Sequence, residues 1–84
     1  MMERMIAMLD SLGFEDMENT ILEGDFAKIF TKKIGENSLT ITFRKVGTNI
    51  TARLDKPNRT HKWLCEKSPA QIGAILRQTI SFYK

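Results

Sequence analysis

The apolar positions of this chain change period along its length, from helical spacing to strict alternation and back. Met2, Met5, Ile6, Leu9 and Leu12 follow the i, i+3, i+4, i+7 pattern of an amphipathic helix. Gly13 supplies the left-handed residue that ends such a helix, and Phe14 can then fold back onto Leu9. Further on, Leu39, Ile41 and Phe43 alternate with Thr40, Thr42 and Arg44. Ile50, Ala52 and Leu54 alternate in the same way with Thr51, Arg53 and Asp55. A period of two predicts strands with one buried and one open face. After Ser68-Pro69-Ala70-Gln71 the helical spacing returns, with Ile72, Ile75, Leu76, Thr79, Ile80 and Tyr83 on one stripe. Ser68 can cap that helix, Pro69 suits its first position and Gln71 completes a capping box. Gly73 and Ala74 leave room for a close neighbour on one flank.

The turns set the register. Gly47-Thr48 suits a two-residue type II′ turn, with glycine where φ must be positive. That turn pairs Phe43 with Ala52, Ile41 with Leu54 and Arg44 with Thr51. A turn at Thr48-Asn49 would set Arg44 against Arg53, and a three-residue loop would mix the two faces. Lys56-Pro57-Asn58-Arg59 reads as a second tight turn, with proline fixing φ at the first central position. Pairing Lys56 with Arg59 sets His61 by Leu54, Trp63 by Ala52 and Cys65 by Ile50, so these three are expected inside and Lys62 outside.

Two segments are less regular. Residues 26–34 fit a short helix capped by Asp25. Their β-branched Ile29, Thr31 and Ile34 and the turn-like Gly35-Glu36-Asn37-Ser38 favour a strand. Phe26, Phe30 and Ile34 share a strand face with Lys28 and Lys32, which suggests an edge strand or a bulge. Residues 15–25 are acidic and weakly periodic, and a loop with a short strand near 20–22 is expected. The resulting fold class is α+β: an antiparallel meander of three to four strands with an N-terminal and a C-terminal helix packed on one face (α-β-β-β-(β)-α). Residues 1–84 are expected to form a single domain, since 84 residues support one modest core.

Charge adds a second layer. Residues 1–25 hold seven of the ten acids and only one of the thirteen bases. The remaining twelve bases face only Glu36, Asp55 and Glu66. The predicted open face carries Thr40, Thr42, Arg44, Thr51, Arg53 and Lys62, with Arg59 in the adjoining turn, and these seven are the candidate partner-binding residues.

Candidate chemistry is sparse. Cys65 is the one cysteine, so no disulfide closes within the chain, which fits a reducing compartment. His61 and Cys65 stand four positions apart, roughly 13 Å on a strand, too far for a thiolate and its base. Glu15, Asp16 and Glu18 lack the alternating ligands and central glycine of a calcium loop. The five glycines are too dispersed to cradle a phosphate. No metal, cofactor or catalytic residue is therefore expected, and the protein is expected not to be an enzyme. Residues 1–14 lack the uninterrupted apolar region of a signal peptide, and no apolar run approaches a membrane span. A cytoplasmic protein without membrane partners is the expectation.

Two functions fit these features. The first is a small non-enzymatic protein-binding domain that takes an acidic protein surface on its basic open face, because complementary charge steers and orients partners. Edge strands also offer pairing with a second copy, hence a homodimer. The alternative is nucleic-acid binding through Lys28, Lys32, Lys33, Arg44, Arg53, Arg59 and Lys62. The helix–three strands–helix order matches double-stranded-RNA-binding domains, but their lysine cluster is replaced here by Lys67, Ser68, Pro69 and Gln71. In size and in its lysine-, isoleucine- and threonine-rich composition the chain resembles small stand-alone α+β proteins of phage and mobile-element genomes. That resemblance implies an inhibitor or regulator of other proteins.

Overall fold

The computed structural model describes residues 2–22 and 25–84. Helix α1 (Met2–Ser11) leads into strands β1 (Glu15–Leu22), β2 (Asp25–Ile34), β3 (Asn37–Val46) and β4 (Asn49–Asp55). A turn over Pro57–Arg59, strand β5 (His61–Trp63) and helix α2 (Pro69–Tyr83) complete the chain. The strands form one antiparallel sheet in the order β1-β2-β3-β4-β5. The expected α+β meander between two helices is therefore present, with five strands rather than three or four.

Both helices lie on the same side of the sheet. Met5 and Leu9 of α1, together with Ile72, Leu76 and Ile80 of α2, share one core with Phe30, Leu39, Ile41, Phe43 and Leu54. Phe30 meets Phe43 edge to face, with ring centroids 6.1 Å apart. The alternation in β3 and β4 is thus the direct cause of the two-sided sheet: every second side chain faces the helices and leaves water.

The helix ends follow their local chemistry. The Phe14 N–H donates to the Leu9 carbonyl and the Gly13 N–H to the Asp10 carbonyl, each at 3.0 Å, with Gly13 at φ 85°. These are the two bonds of a Schellman ending. The Lys32 ammonium occupies the space that a Cβ on Gly13 would need. It lies at the C-terminal end of α1, where a positive charge is favoured by the helix dipole. At the start of α2 the capping box is complete: the Gln71 N–H donates to Ser68 Oγ, and the Ser68 N–H donates to Gln71 Oε1. Gly73 is buried against Met8 of α1, whereas Ala74 is exposed.

The β3–β4 hairpin has the predicted register. Phe43 pairs with Ala52, Ile41 with Leu54 and Arg44 with Thr51, around Gly47 at φ 63°. Residues 26–34 lie in a strand, not a helix, and Ile34 pairs with Asn37 across Gly35-Glu36.

Two expectations fail, for related reasons. The acidic segment expected to be a loop is β1, the edge strand paired with β2. Its register shifts between Asp16 and Glu18, which pair with the adjacent residues Phe30 and Ile29. Met17 is the extra residue of this bulge, and a bulge reverses the alternation midway, so no single period runs through the segment. The second failure lies between β4 and β5. The Lys56 N–H donates to the Thr60 carbonyl at 2.8 Å, so three residues, not two, form the loop. Asn58 and Arg59 take positive φ values of 67° and 62° within it. One additional loop residue shifts the pairing to Asp55–His61, Leu54–Lys62 and Arg53–Trp63. A shift of one residue exchanges the faces of a strand. His61 and Trp63 are therefore outside, Lys62 is on the helix side, and Leu64 is the buried residue.

Candidate interaction surface on the open sheet face

The face turned away from the helices is built from three cross-strand rows. Thr42 of β3, Arg53 of β4 and Trp63 of β5 are successive partners. Thr40, Asp55 and His61 form the next row, and Arg44 with Thr51 a third. On the β2 side the face continues through Ile29 beside Thr42 and Thr31 beside Thr40. The hydroxyls of Thr31 and Thr40 lie 3.3 Å apart, and the Thr51 hydroxyl donates to the Arg44 carbonyl at 3.4 Å. Threonine serves such a surface because its branched side chain fits the pleat while its hydroxyl stays polar.

A groove of about 340 Å³ crosses this face, lined by Thr42, Arg44, Asn49, Thr51, Arg53 and Trp63. Trp63 is 54% exposed, although it is the largest apolar side chain available to the core. The Arg53 guanidinium carbon lies 5.8 Å from the Trp63 ring centroid, within cation–π reach. Arg53 Nε is also 3.2 Å from Asp55 Oδ1. Both members of that ion pair are well solvated, so it contributes at most about 1 kcal/mol to stability, and its main effect is to orient the guanidinium. His61 packs edge to face on the other neighbour position of Trp63, with centroids 6.1 Å apart. The indole is thus held between two side chains while much of its surface stays open.

Of the predicted site residues, Thr40, Thr42, Arg44, Thr51 and Arg53 share this face. Arg59 is exposed in the turn after β4. Lys62 departs from expectation, because it pairs with Leu54 and so stands on the opposite side. Lys28 and Lys32 pair with Phe43 and Leu39 and also belong to the helix side, which leaves Lys33 as the β2 lysine of the open face. The expected field of clustered bases is therefore smaller than the sequence suggests, and it is centred on two arginines and a tryptophan. Trp63, expected in the core, is the residue that sequence reasoning missed. The signal that places it outside is Leu64, because only one of two adjacent strand residues can face the core, and the aliphatic one does so at no polar cost.

Cys65 lies beyond the end of β5 with its Sγ 3.9 Å from the Ala52 carbonyl oxygen, whereas His61 is exposed and engaged with Trp63. Among the described residues no group of three or more His, Cys, Asp or Glu side chains is placed to hold a metal ion. No described helix is long and apolar enough to cross a membrane. Comparison with protein families, with curated proteins and with solved structures finds no match to this chain. The geometry of the open face is therefore the basis for a functional reading.

Proposed function

We propose that this protein is a small binding domain that docks an acidic protein segment across the open face of its sheet. The observation that carries the reading is Trp63, more than half exposed, in register with Arg53 and lining one groove with Arg44. Exposed tryptophan and arginine are the residue types that dominate binding energy at protein interfaces. A rigid sheet holds them in place, so little conformational entropy is lost when a partner arrives. The chemistry matches a segment that alternates carboxylates, for the two guanidiniums, with apolar side chains, for the indole. A regulator or inhibitor of the phage or mobile-element type would use such a surface by covering a partner.

Trp63 is the single tryptophan, so its fluorescence reports on this face alone. Titration with an extended peptide alternating glutamate and leucine is expected to shift or quench its emission. The paired reversal Arg44→Glu and Arg53→Glu is expected to weaken that response by about tenfold or more. An unchanged titration in the doubly reversed protein would overturn the proposal.

The same indole beside a guanidinium favours a second reading, a stacking platform for a base of single-stranded nucleic acid. A thymidine oligonucleotide in the same assay separates the two. Binding that is strong at about 50 mM salt and falls steeply with added salt selects nucleic acid.

A further inference from the structure

The two edges of the sheet carry complementary features that the open face does not use. At the β5 edge, Phe82 of α2 is 78% exposed, the most exposed large apolar side chain among the described residues. It packs edge to face on Tyr83, with centroids 4.9 Å apart, and shares a shallow groove with Ile75, Lys56 and Lys62. Lys62 is here because of the three-residue loop that turned it away from the open face. At the opposite edge, between α1 and β1, lies a cleft of about 400 Å³. Its walls include Ile6, Phe14 and Phe30, and three carboxylates, Glu3, Asp10 and Asp16, stand among them.

We infer that these two features bind each other between copies of the chain, with Phe82 of one copy seated in the acidic cleft of the next. An exposed aromatic ring needs an apolar recess, and the cleft supplies one from Ile6, Phe14 and Phe30. The lysines flanking the ring, Lys56 and Lys62, would then face the carboxylates Glu3, Asp10 and Asp16. Each feature is matched in both polarity and charge by the other, which selects a second copy of this chain over an unrelated partner. The contact joins two different patches, so it is heterologous. It propagates head to tail, or closes into a ring if the rotation allows. The acidic first quarter of the chain then has a role of its own, apart from the basic open face.

Sedimentation over a concentration series tests this with the whole chain. The average mass of the unmodified protein is expected to rise with concentration, and less steeply in about 1 M salt, where charges are screened beyond about 3 Å. Two variants each remove one half of the contact: Phe82→Asp on one side, and Asp10→Lys with Asp16→Lys on the other. All three positions are exposed, so folding is preserved, and circular dichroism checks it. Each variant alone is expected to self-associate at least about tenfold more weakly. Mixed together, the Phe82→Asp protein offers an intact cleft and the lysine variant an intact Phe82. The mixture is expected to regain association through that intact pair of features. A monomeric unmodified protein at millimolar concentration would overturn the inference. So would a variant that self-associates as well as the original, or a mixture of two folded variants that fails to pair.

Discussion

The two faces of the central sheet come from the same strands taken at alternate residues, yet they obey different rules. On the helix side, Leu39, Ile41, Phe43, Ala52 and Leu54 are buried against α1 and α2. On the other side, Thr40, Thr42, Arg44, Thr51 and Arg53 meet solvent or one another. Folding depends on the first set and tolerates wide variation in the second, because burial energy scales with apolar area removed from water. A large apolar side chain on the second face is consequently informative. Trp63 is more than half exposed and contributes little to the core where it stands, and the proposed function uses it for binding instead.

Substitutions that exchange the rules of the two faces should produce the largest effects. Leu54→Lys places an unpaired ammonium in the core, and its cost is expected to approach the whole stability of a small domain, about 5–15 kcal/mol. Circular dichroism should then show an unfolded chain, whereas the neighbouring Arg53→Leu should fold normally. Next comes deletion of Thr60, which keeps the three-residue turn between β4 and β5 and sets His61 opposite Lys56. It drives Trp63 inward and Leu64 outward, and is expected to cost about 2–5 kcal/mol, comparable to truncation of a core leucine. A blue shift of the Trp63 emission in the surviving folded fraction would identify the reversed face. An unshifted spectrum with unchanged stability would show that the loop does not control the register.

Smaller changes sharpen the contrast between adjacent residues. Ile41→Val removes one methyl group from the core and is expected to cost about 0.5–1.5 kcal/mol. In a domain of this length each kcal/mol corresponds to about 4–8 °C in Tm. Thr42→Val, one residue away on the open face, is expected to stay within about 0.5 kcal/mol. Trp63→Ala is expected to be similarly mild in thermal denaturation. It should nevertheless abolish most of the peptide response, which is followed for this variant by anisotropy of a labelled peptide. If Trp63→Ala destabilised the fold as much as a core truncation, the indole would be a packing residue and the binding surface would lose its anchor.

Features decided by neighbouring residues are legible in the amino-acid order alone. Ser68, Pro69 and Gln71 announce the start of α2, and the observed capping box uses the side chains of Ser68 and Gln71. Gly13 and Phe14 close α1 as their types require. Gly47-Thr48, flanked by two alternating runs, determines every pair of the β3–β4 hairpin that the sequence predicts. Five of the seven candidate site residues, Thr40, Thr42, Arg44, Thr51 and Arg53, consequently lie on the open face as expected. Each of these depends on interactions within a turn or across one tight hairpin, where steric rules leave few alternatives.

The tertiary structure decided the rest. Residues 15–22 have no clear period of their own, and they become a strand because the free edge of β2 offers hydrogen bonds that a bulged strand can take. Residues 56–59 read on local grounds as a two-residue turn. The core selected three, since that length buries Leu64 and releases Trp63 and His61 to solvent. A choice between the two faces of a strand is made by the sum of long-range burial, which no short window contains. Thus the chain by itself specifies two capped helices, a two-faced sheet and two arginines on the open side. Only packing placed a tryptophan beside those arginines, moved Lys62 to the opposite surface near Phe82, and drew the acidic segment into the sheet.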